Sequence, residues 1–253
     1  MGKQLMKRIA VAVLSFGFMC AMSLAAEIKV LSAGAVEPGL HAFAEQVKRD
    51  LGHELKIQFN TAPQIAKRLA AGEVYDILIS PPAAIEQAIK DGKVIADTRV
   101  PVGRVGAGII VRSSAVAPNV ATVDALKQAL LGADSVVYNT ASSGIYLDKL
   151  FAKLGVLDQI KAKTTRYPDA GSVMVHVIKG KGNEIGFGPI TEIRMYEPKG
   201  LKLVGPLPAE VQNYTSYDAA AMTGAASLEA ARAVLRQLAT PAAKAVFVAK
   251  GVE

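Results

Sequence analysis

Ile28-Lys29-Val30-Leu31-Ser32-Ala33-Gly34-Ala35-Val36-Glu37-Pro38-Gly39-Leu40 contains the unit that decides the fold. A short β-prone run, Ile28 to Ser32, passes through small residues into Pro38, which suits the first turn of a helix. Leu40, Phe43, Ala44, Val47 and Leu51 then recur at helical spacing, and Gly52 suits the stop. The same strand-to-helix grammar repeats downstream. A strand at Leu55 to Phe59 precedes a helix at Pro63 to Ala71, and a strand at Tyr75 to Ser80 precedes a helix at Pro82 to Lys90. Alternating units of this kind predict an α/β fold with mostly parallel strands.

The later half reads similarly. Strands are expected at Ala107 to Arg112, Ser135 to Tyr138, Glu184 to Gly188, Leu201 to Val204 and Tyr217 to Met222. Helices are expected at Thr122 to Leu131, Ile145 to Leu154, Ala170 to Lys179, Leu228 to Leu238 and Pro241 to Ala249. The glycine-rich run Val102 to Gly108 reads as a crossover between two lobes, with the return near Pro206 to Tyr217; it lacks the Lys-Ser/Thr that grips a nucleotide. The expected division is residues 27–105 with 217–253 as one lobe and 106–216 as the other.

Before Glu27, Lys3, Lys7 and Arg8 precede an apolar run from Ile9 to Met22 and the small residues Ser23-Leu24-Ala25-Ala26. A run of this length is short of the roughly 20 residues that span a bilayer, so residues 1–26 read as a secretory signal and the mature chain as periplasmic. The one cysteine, Cys20, falls inside that segment, so the mature chain would depend on no disulfide or thiolate chemistry. The 29 Lys and Arg against 22 Asp and Glu give a net charge of +7. Loss of the three basic leader residues lowers this to +4, and the remaining cations are scattered without aromatic interleaving, which argues against a nucleic-acid partner.

In α/β lobes, ligands bind at the carboxyl ends of strands and face helix N-termini. Four segments put small or hydroxyl residues there: Ser32 to Glu37, Asn60 to Gln64, Asn139 to Gly144 and Tyr167 to Ser172. Each alone is ordinary helix capping, but four at corresponding places point to a shared anion cleft. Donors spread along it would be Thr61, Gln64, Ser142, Ser143, Tyr146 and Ser172, with Arg104 and Arg166 each able to pair with a carboxylate. Glu37 and His176 are the acid/base candidates. No metal-ligand spacing, hydrolase triad or nucleotide fingerprint occurs, so no metal or cofactor is expected.

Tyr75-Asp76-Ile77-Leu78-Ile79-Ser80, Ser143-Gly144-Ile145-Tyr146 with Lys153-Leu154-Gly155, and Glu184-Ile185-Gly186-Phe187-Gly188 resemble the periplasmic molybdate-binding protein family over nearly all of the mature chain. The resemblance implies a two-lobed, type II periplasmic-binding-protein-like fold with a central cleft, and service to an ABC permease. Where that family presents binding hydroxyls, this chain has Ala35, Ala62 and, approximately, Pro189. Each lost charged hydrogen bond costs about 1.5–3 kcal/mol, so the expected ligand is a small organic anion, a di- or tricarboxylate, rather than molybdate. Ala35, Ala62 and Gly144 still belong to the expected binding surface. The first functional reading is therefore a monomeric substrate-binding component of an importer. The alternative comes from the same resemblance: the family includes a periplasmic aconitate isomerase, which interconverts cis- and trans-aconitate by an allylic 1,3-proton shift, with Glu37 or His176 as base.

Overall fold

The computed structural model describes residues 25–253, so the signal read over 1–26, with Cys20, lies outside the described residues but for its last two. Among the described residues no helix is long and apolar enough to cross a membrane.

The chain forms a mixed α/β structure of two lobes. The first contains β1 (Glu27–Ala33), α1 (Glu37–Leu51), β2 (Glu54–Asn60), α2 (Ala62–Ala70), β3 (Ile77–Ser80) and α3 (Pro82–Lys90). The long strand β4 (Val100–Arg112) carries the chain across. The second lobe holds α4 (Val123–Gly132), β5 (Ser135–Asn139), α5 (Ser142–Lys153), α6 (Leu157–Ile160), β6 (Thr164–Tyr167), α7 (Ala170–Lys179), β7 (Glu184–Pro189), α8 (Ile190–Tyr196) and β8 (Leu201–Pro206). Strand β9 (Tyr214–Ala221) returns to the first lobe, which α9 (Leu228–Leu238) and α10 (Pro241–Val248) complete.

The strands run in the order β2-β1-β3-β9-β4-β7-β5-β6, with β8 also on β4. β1 pairs in parallel with β2 and β3, as β5 does with β6 and β7. The four pairings that involve β4 or β9 are antiparallel, which corrects the mostly parallel expectation. The reason is the crossover. Val100 to Gly106 of β4 lie beside β9, whereas Ala107 to Arg112 lie beside β7 and β8, so one continuous strand belongs to both lobes. The glycine run expected to be a connection is thus strand itself. Gly103 sits at φ 149°, and a Cβ there would lie 2.8 Å from the Glu253 carbonyl oxygen and 2.7 Å from Val252, so the approach requires glycine.

Period-two alternation divides the cores. Ile109, Val136 and Phe187 face one side with Leu126, Leu147 and Phe151, while Ile110 and Val137 face the other with Val173, Met174 and Ile193. The first lobe closes over Val30, Leu31, Phe43, Ile77 to Ile79, Ala219 to Ala221, Val234 and Phe247. Asp76 of the Tyr-Asp-Ile-Leu-Ile-Ser stretch is buried and structural: its Oδ2 accepts from the Lys29 amide at 2.8 Å and its Oδ1 from the Ser227 amide at 2.7 Å. Two elements were absent from the sequence reading and matter for the site, the strand β6 and the seven-residue helix α8.

Candidate functional site

A cleft of about 480 Å³ opens between the lobes. From the first lobe it is lined by Gly34, Ala35, Glu37, Phe59, Asn60, Thr61, Ala62, Gln64 and Tyr217, and from the second by Asn139, Ser142, Ser143, Asp169, Glu192, Tyr196 and Lys199. Its walls are the carboxyl ends of β1, β2 and β5 and the first turns of α1, α2, α5 and α7, as expected for α/β lobes.

The polar groups differ in how far they are already committed. At α2, Gln64 Oε1 accepts from the Thr61 amide at 2.8 Å. Thr61 and Gln64 face each other in a capping box, yet the buried Thr61 Oγ1 makes no full hydrogen bond within the protein. Asn60 Oδ1, next to it, is likewise buried and unpaired. Buried polar atoms rarely stay unpaired in a protein, so these two oxygens are open to a further donor. At α5, Asn139 Oδ1 accepts from the Ala141 amide at 2.9 Å and the Gly144 amide at 3.2 Å, and Asn139 Nδ2 donates to Ser143 Oγ at 3.0 Å. Asn139 therefore consumes part of the helix terminus and fixes Ser143, while Ser142 stays on the cleft wall. At α7, Asp169 Oδ1 accepts from the Ser172 amide at 2.7 Å, which places a carboxylate on the cleft surface.

The cleft is acidic at its floor. Glu37, Asp169 and Glu192 all line it, and Lys199, whose ammonium lies 4.2 Å from the Tyr196 ring centroid, is the only cation among its described lining residues. Glu192 keeps a partial opening to the cleft, but protein surrounds it. Removal from bulk water pushes its carboxyl up to about 8, and the negative charges of Glu37 and Asp169 add to that. The same surroundings raise the neighbouring phenols. Burial is the main cause for both Tyr196 and Tyr217, with Glu192 the next contribution. Helix α8 is held in place from the other lobe, where Thr191 Oγ1 donates to the Ala35 carbonyl at 2.6 Å.

The structure brings Ala35, Glu37, Thr61, Ala62, Gln64, Ser142 and Ser143 together on the cleft lining, along with Pro189. It does not bring the other expected residues there. Arg104 lies on the crossover, where its guanidinium meets Glu253 at 3.2 Å and stacks over Tyr214 at 4.3 Å. Arg166 is held by Asp148 at 2.8 Å and lies 5.1 Å over the Tyr138 ring, so its charge is spent beside the cleft. The Tyr146 hydroxyl donates to the Val211 carbonyl at 2.7 Å, and its ring packs on the second core. Ser172 and His176 line an outer depression on the second lobe, where His176 Nδ1 meets the Tyr167 hydroxyl at 2.9 Å. Gly144 is a packing glycine, since a Cβ there would fall 1.6 Å from the Asn139 carbonyl oxygen. Among the described residues no cluster of three or more His, Cys, Asp or Glu has the geometry of a metal site.

The residue most conspicuously missed by the sequence reading is Glu192. The Glu37 position beside it was legible because it follows β1 directly, whereas Glu192 is placed by α8.

The profile of the bacterial extracellular solute-binding proteins matches residues 28–253. The chain belongs to that family. Within it, this solute-binding protein is 32% identical over 226 residues to an aconitate isomerase from a Pseudomonas species, covering 87% of this chain and 85% of that protein. Among solved structures, the periplasmic molybdate-binding protein of Azotobacter vinelandii superposes with a TM-score of 0.73 at 17% identity, covering 89% of this chain and 98% of its own. A sulfate-binding protein from Mycobacterium tuberculosis reaches 0.71 at 15% identity, covering 90% and 86%. These structural likenesses establish a common two-lobed fold. The molybdate-binding-like resemblance seen in the sequence holds, and the cleft of this solute-binding protein has Ala35, Ala62 and Pro189 on its lining.

Proposed function

We propose that the cleft binds a small unsaturated polycarboxylate and isomerises it by a 1,3-proton shift, as an aconitate isomerase of the periplasm. Glu192 carries the proposal. A cleft built only to hold an anion gains nothing from three carboxyl groups, but a carboxyl held near 8 is protonated at neutral pH and supplies a proton to a substrate carbon. An arriving polyanion raises it further and keeps it a donor.

In this reading the Glu37 carboxylate takes a proton from the methylene carbon of cis-aconitate, the C=C bond migrates by one position, and the Glu192 carboxyl delivers its proton to the former vinylic carbon. Substrate and product have the same atoms, so no water, metal or cofactor enters the balance. Thr61 Oγ1, Ser142, the open N–H groups of the α5 first turn and Lys199 hold the substrate carboxylates. Two supports are independent of Glu192: the relative named aconitate isomerase, and the replacement of the oxyanion hydroxyls by Ala35, Ala62 and Pro189.

The test is incubation of the purified mature protein with cis-aconitate while trans-aconitate is followed by proton NMR. Conversion that collapses by at least a hundredfold in Glu192→Gln, with trans-aconitate still bound, is the expected result. No conversion above a buffer control ends the isomerase reading. Family membership favours a second reading, delivery of the bound anion to a membrane permease, and binding without turnover would move the assignment there.

A further inference from the structure

We propose that His41 relays the proton of Glu37 from the cleft to bulk water on the outer face of the first lobe. The inference rests on the isomerase reading and concerns how that site resets. After one shift Glu37 holds a proton and Glu192 has lost one, so the resting state returns only when a proton leaves the first and reaches the second.

His41 stands four residues after Glu37, one turn further along α1, with Nε2 3.6 Å from Glu37 Oε1. Its ring is edge-on to Phe59 at 5.3 Å, and Phe59 itself lines the cleft. On its other side His41 opens into a separate outer depression of about 430 Å³. The side chain of Glu37 is 28% exposed and that of His41 60%, so the pair runs from the cleft wall to free solvent. The charged groups around the outer end are Glu45 and Lys48 on α1, Glu54 on β2, whose carboxylate is held by Lys56 at 2.7 Å, and Lys250 beyond α10. The step is balanced: the Glu37 carboxyl gives its proton to His41, the imidazolium releases a proton to water outside, and Glu192 regains one from water in the cleft.

The experiment measures kcat on cis-aconitate at low buffer concentration and again with added imidazole. Wild type is expected to be insensitive to buffer, whereas His41→Phe, which keeps a ring against Phe59, should lose severalfold in kcat at low buffer. His41→Ala should lose as much and recover when imidazole is added, a rescue that a purely structural role would not give. An unchanged kcat in His41→Phe at low buffer, or a loss in His41→Ala that imidazole does not restore, overturns the relay and leaves the isomerase reading standing. If the wild type does not turn over at all, the isomerase reading fails and the relay falls with it.

Discussion

Glu192 is a cleft acid whose protonated form the fold favours. Its carboxyl is held at about 8, against 4.5 for an ordinary glutamic acid. An acid raised on folding contributes stability that is fully present below about pH 4.5 and is lost as pH rises toward 8, because the unfolded chain gives up the proton first. Glu192 keeps a partial opening to the cleft, so only part of the full linkage value is expected, about 2 kcal/mol. Thermal unfolding of wild type and Glu192→Gln checks this: the variant is expected to gain on the wild type steadily between pH 5 and 8, and parallel curves would refute the buried-acid account. A second residue-scale prediction concerns geometry rather than charge. Gly144 has the Asn139 carbonyl where a Cβ would be, so Gly144→Ala must displace the α5 start or the end of β5. A cost of about 3 kcal/mol, read as a fall in Tm of about 6–12 °C, is expected.

Helix α8 shows why the site was only half legible in the sequence. Glu37, Thr61, Ala62, Ser142 and Ser143 follow strands whose apolar runs are plain, so the end-of-strand rule reaches them. α8 has seven residues, begins with no gap after Pro189, and alternates Ile190 and Ile193 with polar residues too briefly for a helical period to emerge. Nor does sequence carry the desolvation of Glu192, which needs the first lobe to lie against the helix. The two arginines lie off the cleft lining for a related reason. Arg104 and Arg166 are of the type that recognises carboxylates, yet each had an internal acid within reach, Glu253 and Asp148, visible only once the strands were paired. What holds α8 is the bond from Thr191 Oγ1 to the Ala35 carbonyl, buried and spanning 156 residues of chain. Thr191→Val removes the donor and leaves that carbonyl unpaired, an expected loss of about 1–3 kcal/mol in chemical denaturation. Glu192 rides on the same turn, so its titration should move toward 4.5 as the helix loosens. A variant as stable as wild type would show that α8 is positioned by its apolar face alone.

At the scale of the whole molecule, the two lobes are joined through β4 and β9, and the cleft lies against their crossover at Val105, Gly106 and Thr215. A ligand that touches both walls stabilises the molecule in proportion to its concentration above Kd, about 2.7 kcal/mol at a hundredfold excess. For a chain of this size that is a rise in Tm of about 5–10 °C. The chemistry of the walls decides which anion achieves it. A tetrahedral oxyanion needs donors around one point, and Ala35, Ala62 and Pro189 offer it no side-chain hydroxyl. Thr61 and Lys199 line the cleft from opposite lobes, and a polycarboxylate presents separate charges to the two walls. Differential scanning fluorimetry is therefore expected to show the rise with trans-aconitate and no rise with molybdate at the same concentration. In Lys199→Glu the aconitate effect should weaken, with affinity by calorimetry falling about 10- to 100-fold, the value of one charged hydrogen bond. A molybdate response equal to that of aconitate would mean that backbone N–H groups at the helix starts suffice for a compact oxyanion, and the polycarboxylate assignment would fall.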